Sequence, residues 1–330
     1  RDVAVTGVQT CALPISTALA SGEVWTFVDG NLSTGLNKDT ARHASNPAMV
    51  VFNNELYVAW SEFNTTTSQI RVRKYNGSTW SWVDGGGSTG INYDTGQNAI
   101  HPNLVVFSGN LYAIWSETYS GVYVTRVKRY DGASTWTAID GSVTNGLNKD
   151  AVTCGATSGP SFGVNNGYLY AAWVETYSSA GGAYQLHVKR YDSGSSWSFV
   201  DGGGFTGLNY DTNRTANKPK LYSLNNTLYL IWTEANPSNK YIVRVKRYDG
   251  GSTWTTIDGG SGLNYNAGYT VDEARLTTYN GSLYAYWLEN YFVRIKSYNG
   301  SAWSSADGNA GFKQNRSEER RVGKECRSRW

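Results

Sequence analysis

Apolar and polar residues alternate with a period of two along short stretches of this chain, and no stretch carries a helical period. The clearest stretch is Leu-Tyr-x-x-Trp-x-Glu, found at 56–62, 111–117, 169–175, 228–234 and 283–289, with successive spacings of 55, 58, 59 and 55 residues. Three further signatures keep step with it. A basic stretch ends in Tyr and a turn, as in Arg71-Val72-Arg73-Lys74-Tyr75-Asn76-Gly77. A Trp-x-x-(Val/Ile/Ala)-Asp motif starts at Trp25, Trp80, Trp136, Trp197, Trp254 and Trp303. A Gly-(Leu/Ile)-Asn-x-(Asp/Asn) motif starts at Gly35, Gly90, Gly146, Gly207 and Gly262.

Each period predicts four strands. Strand A follows a proline at Pro47, Pro102, Pro160 and Pro219, with Ala274 in the fifth unit. Asn-Asn, Gly-Asn or Asn-Gly pairs then supply the tight turn of a hairpin. Strand B is the Leu-Tyr-x-x-Trp-x-Glu stretch, strand C the basic stretch and strand D the Trp motif. Four antiparallel strands repeated every ~55 residues are the signature of a β-propeller blade, which buries its two faces only by stacking on neighbours. The fold class expected is therefore an all-β propeller with five complete four-stranded blades over 35–310. Eleven of the thirteen tryptophans occupy the two repeated slots, which points to packing between blades; Trp82 is outside the pattern.

The first complete unit is preceded by an orphan strand D, Trp25–Asp29, within 17–34, and 311–315 resembles the start of another linker. The fifth unit already has its own strand D, so the orphan cannot complete it. The expectation is a ring of six to eight blades of which five lie here, with unpaired blade faces at both edges that favour self-association. Residues 1–16 and 316–330 carry none of the repeat signatures and resemble translated sequencing-adapter oligonucleotides; they are expected to contribute nothing to the fold.

Those end segments also distort the charge. The whole chain is at +3, but 316–330 holds six Lys/Arg against three Glu and 1–16 is balanced, so the repeats are neutral. A neutral core lacks the electrostatic footprint of a nucleic-acid or anionic-membrane binder. No apolar run reaches the roughly 18 residues of a membrane helix. Cys154 is the one cysteine within the repeats, which excludes a disulfide framework and a Cys-based metal site. Scarce Cys with abundant Trp, Tyr and Asn suits a secreted or cell-surface protein. No motif points to a metal or a cofactor, and His43, His101 and His187 form no catalytic pattern.

The Tyr-(Asp/Asn)-Gly-x-x-Trp turn resembles the Asp-box hairpin of sialidase-type propellers, departing from it at the slot filled by Lys74, Arg129, Arg190, Arg247 and Ser297, where four of five units lack the usual Ser or Thr. The repeats as a whole resemble those of large Gram-positive bacterial surface proteins, and their plan is similar to that of bacterial propeller lectins. The latter two resemblances imply an extracellular binding scaffold for a glycan or another cell-surface ligand, and acids that recur once per unit suit repeated binding rather than one catalytic centre, so no catalysis is expected.

In an A-B-C-D blade the B–C loops and D–A linkers share one face, and here they vary from unit to unit, at Phe63–Ser68, Thr118–Val124, Thr176–Tyr184 and Ala235–Tyr241. Variable loops on a rigid scaffold carry recognition. The linkers place Asn37 and Asp39, Asn92, Tyr93 and Asp94, Asn148 and Asp150, Asn209, Tyr210 and Asp211, and Asn264 and Tyr265 on that face, where Tyr119 and Tyr177 join them. Aromatic rings beside amides and carboxylates suit a sugar, whose C–H groups stack on a ring while its hydroxyls bond to polar groups. The competing explanation is that Asn and Asp form turns that shape the linker. A second series, Glu62/Arg71, Glu117/Arg126, Glu175/His187, Glu234/Arg244 and Glu289/Arg294, predicts cross-strand ion pairs. The readings that remain beside a binder are a structural, protein-binding propeller and a glycoside hydrolase- or sialidase-like enzyme, which would need a non-repeated pair of carboxylates.

Overall fold

A computed structural model describes residues 27–29, 35–149, 159–176 and 182–313. Both end segments, Trp25, Asp150, Cys154 and Tyr177 lie outside the described residues. The span Leu36–Phe312 forms a unit of its own.

Five sheets follow one another along the chain, each made of consecutive antiparallel strands in the order A-B-C-D. Blade 1 is β1 (Ala44–Phe52), β2 (Glu55–Phe63), β3 (Ser68–Tyr75) and β4 (Trp80–Trp82). Blade 2 is β5 (Ala99–Phe107), β6 (Asn110–Tyr119), β7 (Val122–Gly132) and β8 (Thr135–Ala138). Blade 3 is β9 (Ser161–Asn165), β10 (Tyr168–Thr176), β11 (Tyr184–Ser193) and β12 (Ser196–Phe199). Blade 4 is β13 (Ala216–Leu224), β14 (Thr227–Ala235), β15 (Tyr241–Gly250) and β16 (Thr253–Thr256). Blade 5 is β17 (Val271–Tyr279), β18 (Ser282–Glu289), β19 (Phe292–Tyr298) and β20 (Trp303–Ser305), and the two-residue β21 (Phe312–Lys313) also pairs with β19.

The A–B turns are two-residue hairpins with both residues in the left-handed region: Asn53-Asn54, Ser108-Gly109, Asn225-Asn226 and Asn280-Gly281, with Asn166-Gly167 in blade 3. Short polar residues and glycine are the ones that tolerate it. The B–C connections are shorter than the sequence predicts. In blade 2 the strands run on to Tyr119 and from Val122, leaving Ser120-Gly121 as a tight turn, and in blade 5 Asn290-Tyr291 does the same.

Period-two alternation gives each blade two apolar faces, and they meet in four inter-blade cores. Between blades 2 and 3, Tyr112, Ile114 and Val127 meet Leu169, Ala171 and Trp173. Between blades 3 and 4, Val174, Leu186 and Val188 meet Leu221, Leu230 and Trp232. The strand-B tryptophans Trp115, Trp173, Trp232 and Trp287 are almost wholly buried there. The strand-D tryptophans tie the outer rim: the indole N–H groups of Trp136, Trp197, Trp254 and Trp303 donate to the carbonyls of Val83, Ile139, Val200 and Ile257 of the preceding blade at 2.8–2.9 Å. Among the described residues no fifth core joins blade 5 to blade 1. Met49 and Val51 on blade 1 are 67% and 64% exposed, and Tyr286, Leu288 and Val293 on blade 5 are also exposed. Apolar side chains on the outer faces of blades 1 and 5 are thus exposed among the described residues.

Candidate functional site

The repeated linker Asn and Asp residues form the joint between consecutive blades. Asn92 is buried. Its Oδ1 accepts the backbone N–H of Ile70 on β3 at 2.8 Å, while its Nδ2 donates to the carbonyls of Ser68 and Gln97 at 3.0 and 2.9 Å. Asn148, Asn209 and Asn264 accept from Thr125, Leu186 and Val243 in the same way. Asn37 donates to the Arg42 carbonyl at 2.9 Å. Asp39, Asp94 and Asp211, and Asn266 in the fifth linker, each accept an N–H two residues on, at 2.9, 2.9, 3.0 and 2.8 Å, the turn geometry of a short polar side chain. The preceding glycine lets the linker press against strand C. A Cβ on Gly90, Gly146 or Gly207 would overlap the carbonyl oxygen of Ile70, Thr125 or Leu186.

The far side of each joint is the strand-B glutamate. The Glu117 carboxylate accepts the Trp115 indole N–H and the backbone N–H groups of Tyr93 and Asp94, all at 2.7 Å. Glu62, Glu234 and Glu289 repeat the arrangement, and Glu175 accepts from Lys149. Burial pushes the Glu117 and Glu234 carboxyls above their usual range, against the pull of these donors. The expected Glu–Arg cross-strand pairs are absent in four blades. Register sets Arg71 opposite Trp60 and Gln69 opposite Glu62, so the guanidinium turns to strand D, where Arg71 pairs with Asp84 at 2.9 Å. Arg126, Arg244 and Arg294 pair with Asp140, Asp258 and Asp307 at 3.5–3.7 Å. In blade 3 His187 lies 2.7 Å from Asp201 and 3.7 Å from Glu175.

The linker tyrosines cover these cations. Arg126, Arg244 and Arg294 stack over Tyr93, Tyr210 and Tyr265 at 4.2, 3.8 and 4.2 Å. Blades 1 and 3 have Lys38 and Lys149 in the tyrosine slot, and there strand D supplies the ring instead. Arg73 stacks over Trp82 at 3.8 Å and Lys189 over Phe199 at 4.3 Å, whereas blades with a linker tyrosine have Ala138, Thr256 or Ser305 at that strand-D position. Trp82, the tryptophan outside the sequence pattern, is thus the blade-1 version of Tyr93. Tyr119 is partly buried at the end of β6.

A different set of residues converges on the axis. A cavity of about 760 Å³ is lined by strand A of every blade or by its lead-in, among them Asn46, His101, Gly159, Lys218 and Glu273. It opens on the D–A linker face, but none of the candidate ligand-binding residues of the linkers and loops lines it. Strand A begins after its proline in blade 3, where β9 starts at Ser161, but in blades 1, 2 and 4 it begins before it. β1, β5, β13 and β17 each break register over two residues, at Asn46-Pro47, His101-Pro102, Lys218-Pro219 and Glu273-Ala274. This bulge absorbs the proline, which has no N–H for the ladder. The first bulge residue takes φ of 54°, 57°, 53° and 52° in Asn46, His101, Lys218 and Glu273, a conformation that bulky residues avoid and that concentrates at functional sites.

Charge in the cavity is concentrated on β13 and β17. The Lys218 ammonium pairs with Asp272 at 2.6 Å and Glu273 at 3.0 Å, and Arg275 pairs with Glu273 at 2.7 Å. Lys220 lines the same cavity, and burial, reinforced by Arg275, lowers its pKa to about 8. His101 is shifted down by burial and then by Lys220 and Lys218. Among the described residues no group of three His, Cys, Asp or Glu side chains is placed to hold a metal.

No family model and no curated protein matches this chain. Solved structures do. The family-93 α-L-arabinofuranosidase of Fusarium graminearum superposes with a TM-score of 0.51 at 14% identity over 82% of each chain. The α-L-arabinanase of Penicillium chrysogenum superposes with a TM-score of 0.50 at 13% identity over 79% of this chain and 80% of its own. This chain has the fold of the five-bladed propeller arabinanases. At such identity the likeness is one of fold alone, and roles in the propeller must be argued from its own side chains.

Proposed function

We propose that this protein is a secreted or cell-surface glycan-binding propeller that holds sugar at the mouth of its central channel and leaves it uncleaved. The observation that carries the reading is the bulge residue of strand A. At the axis, the bulge residue and the residue after its proline slot both change from blade to blade, from Asn46 and Ala48 to His101 and Asn103, Lys218 and Lys220, and Glu273 and Arg275. Strain tolerated at a position with no constant packing role marks recognition. The Fusarium and Penicillium enzymes were both solved with arabinobiose, which makes a saccharide the natural first ligand for this fold.

Hydrolysis of a glycosidic bond needs two carboxyl groups flanking it, one of them a proton donor. The cavity's acids, Asp272 and Glu273, are neighbours on one strand and share Lys218. Against the upward push of burial, that ammonium holds both below their usual range, so neither carries a proton to give at neutral pH. The corresponding slots of the other blades hold no carboxylate.

The test is a glycan array followed by calorimetry with neutral oligosaccharides, on wild type and on His101→Ala, with reducing ends assayed in the same solutions. Binding weakened by His101→Ala without release of reducing ends is expected. No binding by a folded protein would favour a structural, protein-binding propeller, and release of reducing ends would make it a hydrolase.

A further inference from the structure

Two polar groups in the cavity are left without partners once the ion pairs are counted. Lys218 and Arg275 are matched by Asp272 and Glu273, but Lys220 has no hydrogen bond or ion pair among the described residues. Beside it the Nδ1 of His101 is buried with no hydrogen-bond partner. A buried polar group without a partner costs about 1–3 kcal/mol, more if charged, so a site keeps one where a ligand completes it. One ammonium left uncompensated beside an open imidazole nitrogen calls for one negative charge spread over two oxygens.

We propose that the channel takes an acidic glycan, one whose sugar carries a carboxylate, and that Lys220 and His101 receive that group. The proposal rests on the glycan reading above and narrows it. The ammonium of Lys220 on β13 supplies the charge, and the imidazole of His101 on β5 donates to the second oxygen from Nδ1. Lys218, held by Asp272 and Glu273, fixes the wall behind them. A neutral sugar in the same place would leave Lys220 desolvated and unpaired. Specificity for the acid thus comes as much from the penalty on its uncharged counterpart as from the new contact. Only one cation is in surplus, which suits a uronate better than a heavily sulfated chain.

The experiment is calorimetry at pH 7 with galacturonate oligosaccharides, with their methyl esters, which keep the sugar and mask the charge, and with neutral arabino-oligosaccharides. Wild type is expected to prefer the acid to its ester about tenfold or more. Lys220→Met should abolish that preference and Lys220→Arg should restore most of it, with thermal midpoints recorded to show that each variant is folded. Raising the pH through about 8 should erode the preference in wild type as Lys220 loses its proton, while the bridged Lys218 and Arg275 keep theirs. Equal affinity for acid and ester, or a preference that survives Lys220→Met, would overturn the proposal. Binding of arabino-oligosaccharide alone would overturn it while leaving the glycan reading intact. Binding of none of the three would remove both.

Discussion

Replacing Asn92 with alanine separates a joint from a ligand contact. The side chain makes three hydrogen bonds inside the protein, from the Ile70 N–H and to the Ser68 and Gln97 carbonyls, at 2.8–3.0 Å. It is buried, so water does not replace them freely. Stranding the Ile70 N–H costs about 1–3 kcal/mol, and each lost neutral hydrogen bond to a carbonyl adds roughly 0.5–1.5 kcal/mol. The expected loss is about 3 kcal/mol, or roughly 6–12 °C in thermal midpoint for a unit of this size. Asn92→Asp keeps the acceptor for Ile70 but turns both donors into acceptors facing carbonyls, and should cost at least as much. Urea denaturation followed by tryptophan fluorescence reads the loss, because Trp115 shares the joint through Glu117. Glycan affinity measured well below the transition should not change. A variant as stable as wild type that has lost glycan binding would refute the reasoning and return Asn92 and Tyr93 to the binding surface.

Trp173→Ala should cost about 3–5 kcal/mol by urea denaturation, through the cavity left between blades 2 and 3. Gly207→Ala should destabilise by more than 1 kcal/mol, roughly the ordinary backbone scale, because the linker must back away from the Leu186 carbonyl; a neutral result would show that the close approach is slack. Lys220 has its folded pKa lowered to about 8, so between that pH and its unfolded value the unfolded chain binds more protons and stability rises with pH. Wild type should therefore gain stability relative to Lys220→Met across that window, and parallel pH profiles would contradict the assignment.

Strand identities, hairpin turns and Trp packing were legible in the sequence because each depends on residues close together in the chain or on the period itself. The roles of Asn92, Tyr93 and Glu117 were not, since their partners lie on other strands and in neighbouring blades. A Gly-(Leu/Ile)-Asn motif looks the same whether its amide faces a sugar or the Ile70 N–H. The Glu–Arg pairing failed for a related reason: strand C sets Arg71 two pairs away from Glu62, on a register that loop length alone does not fix. One exchange is visible in the sequence itself. Wherever Lys38 or Lys149 replaces the linker tyrosine, Trp82 or Phe199 appears on strand D. The channel is hidden in the sequence because a proline reads as the start of a strand, which puts His101 and Lys218 in a linker when they form the bulge at the axis.

The most direct test of the account is a crystal structure of the protein soaked with galacturonate and arabinose oligosaccharides. The account predicts ligand density in the central cavity, in contact with His101 and Lys220. Density over the Tyr93 or Tyr210 linkers with an empty channel would contradict it.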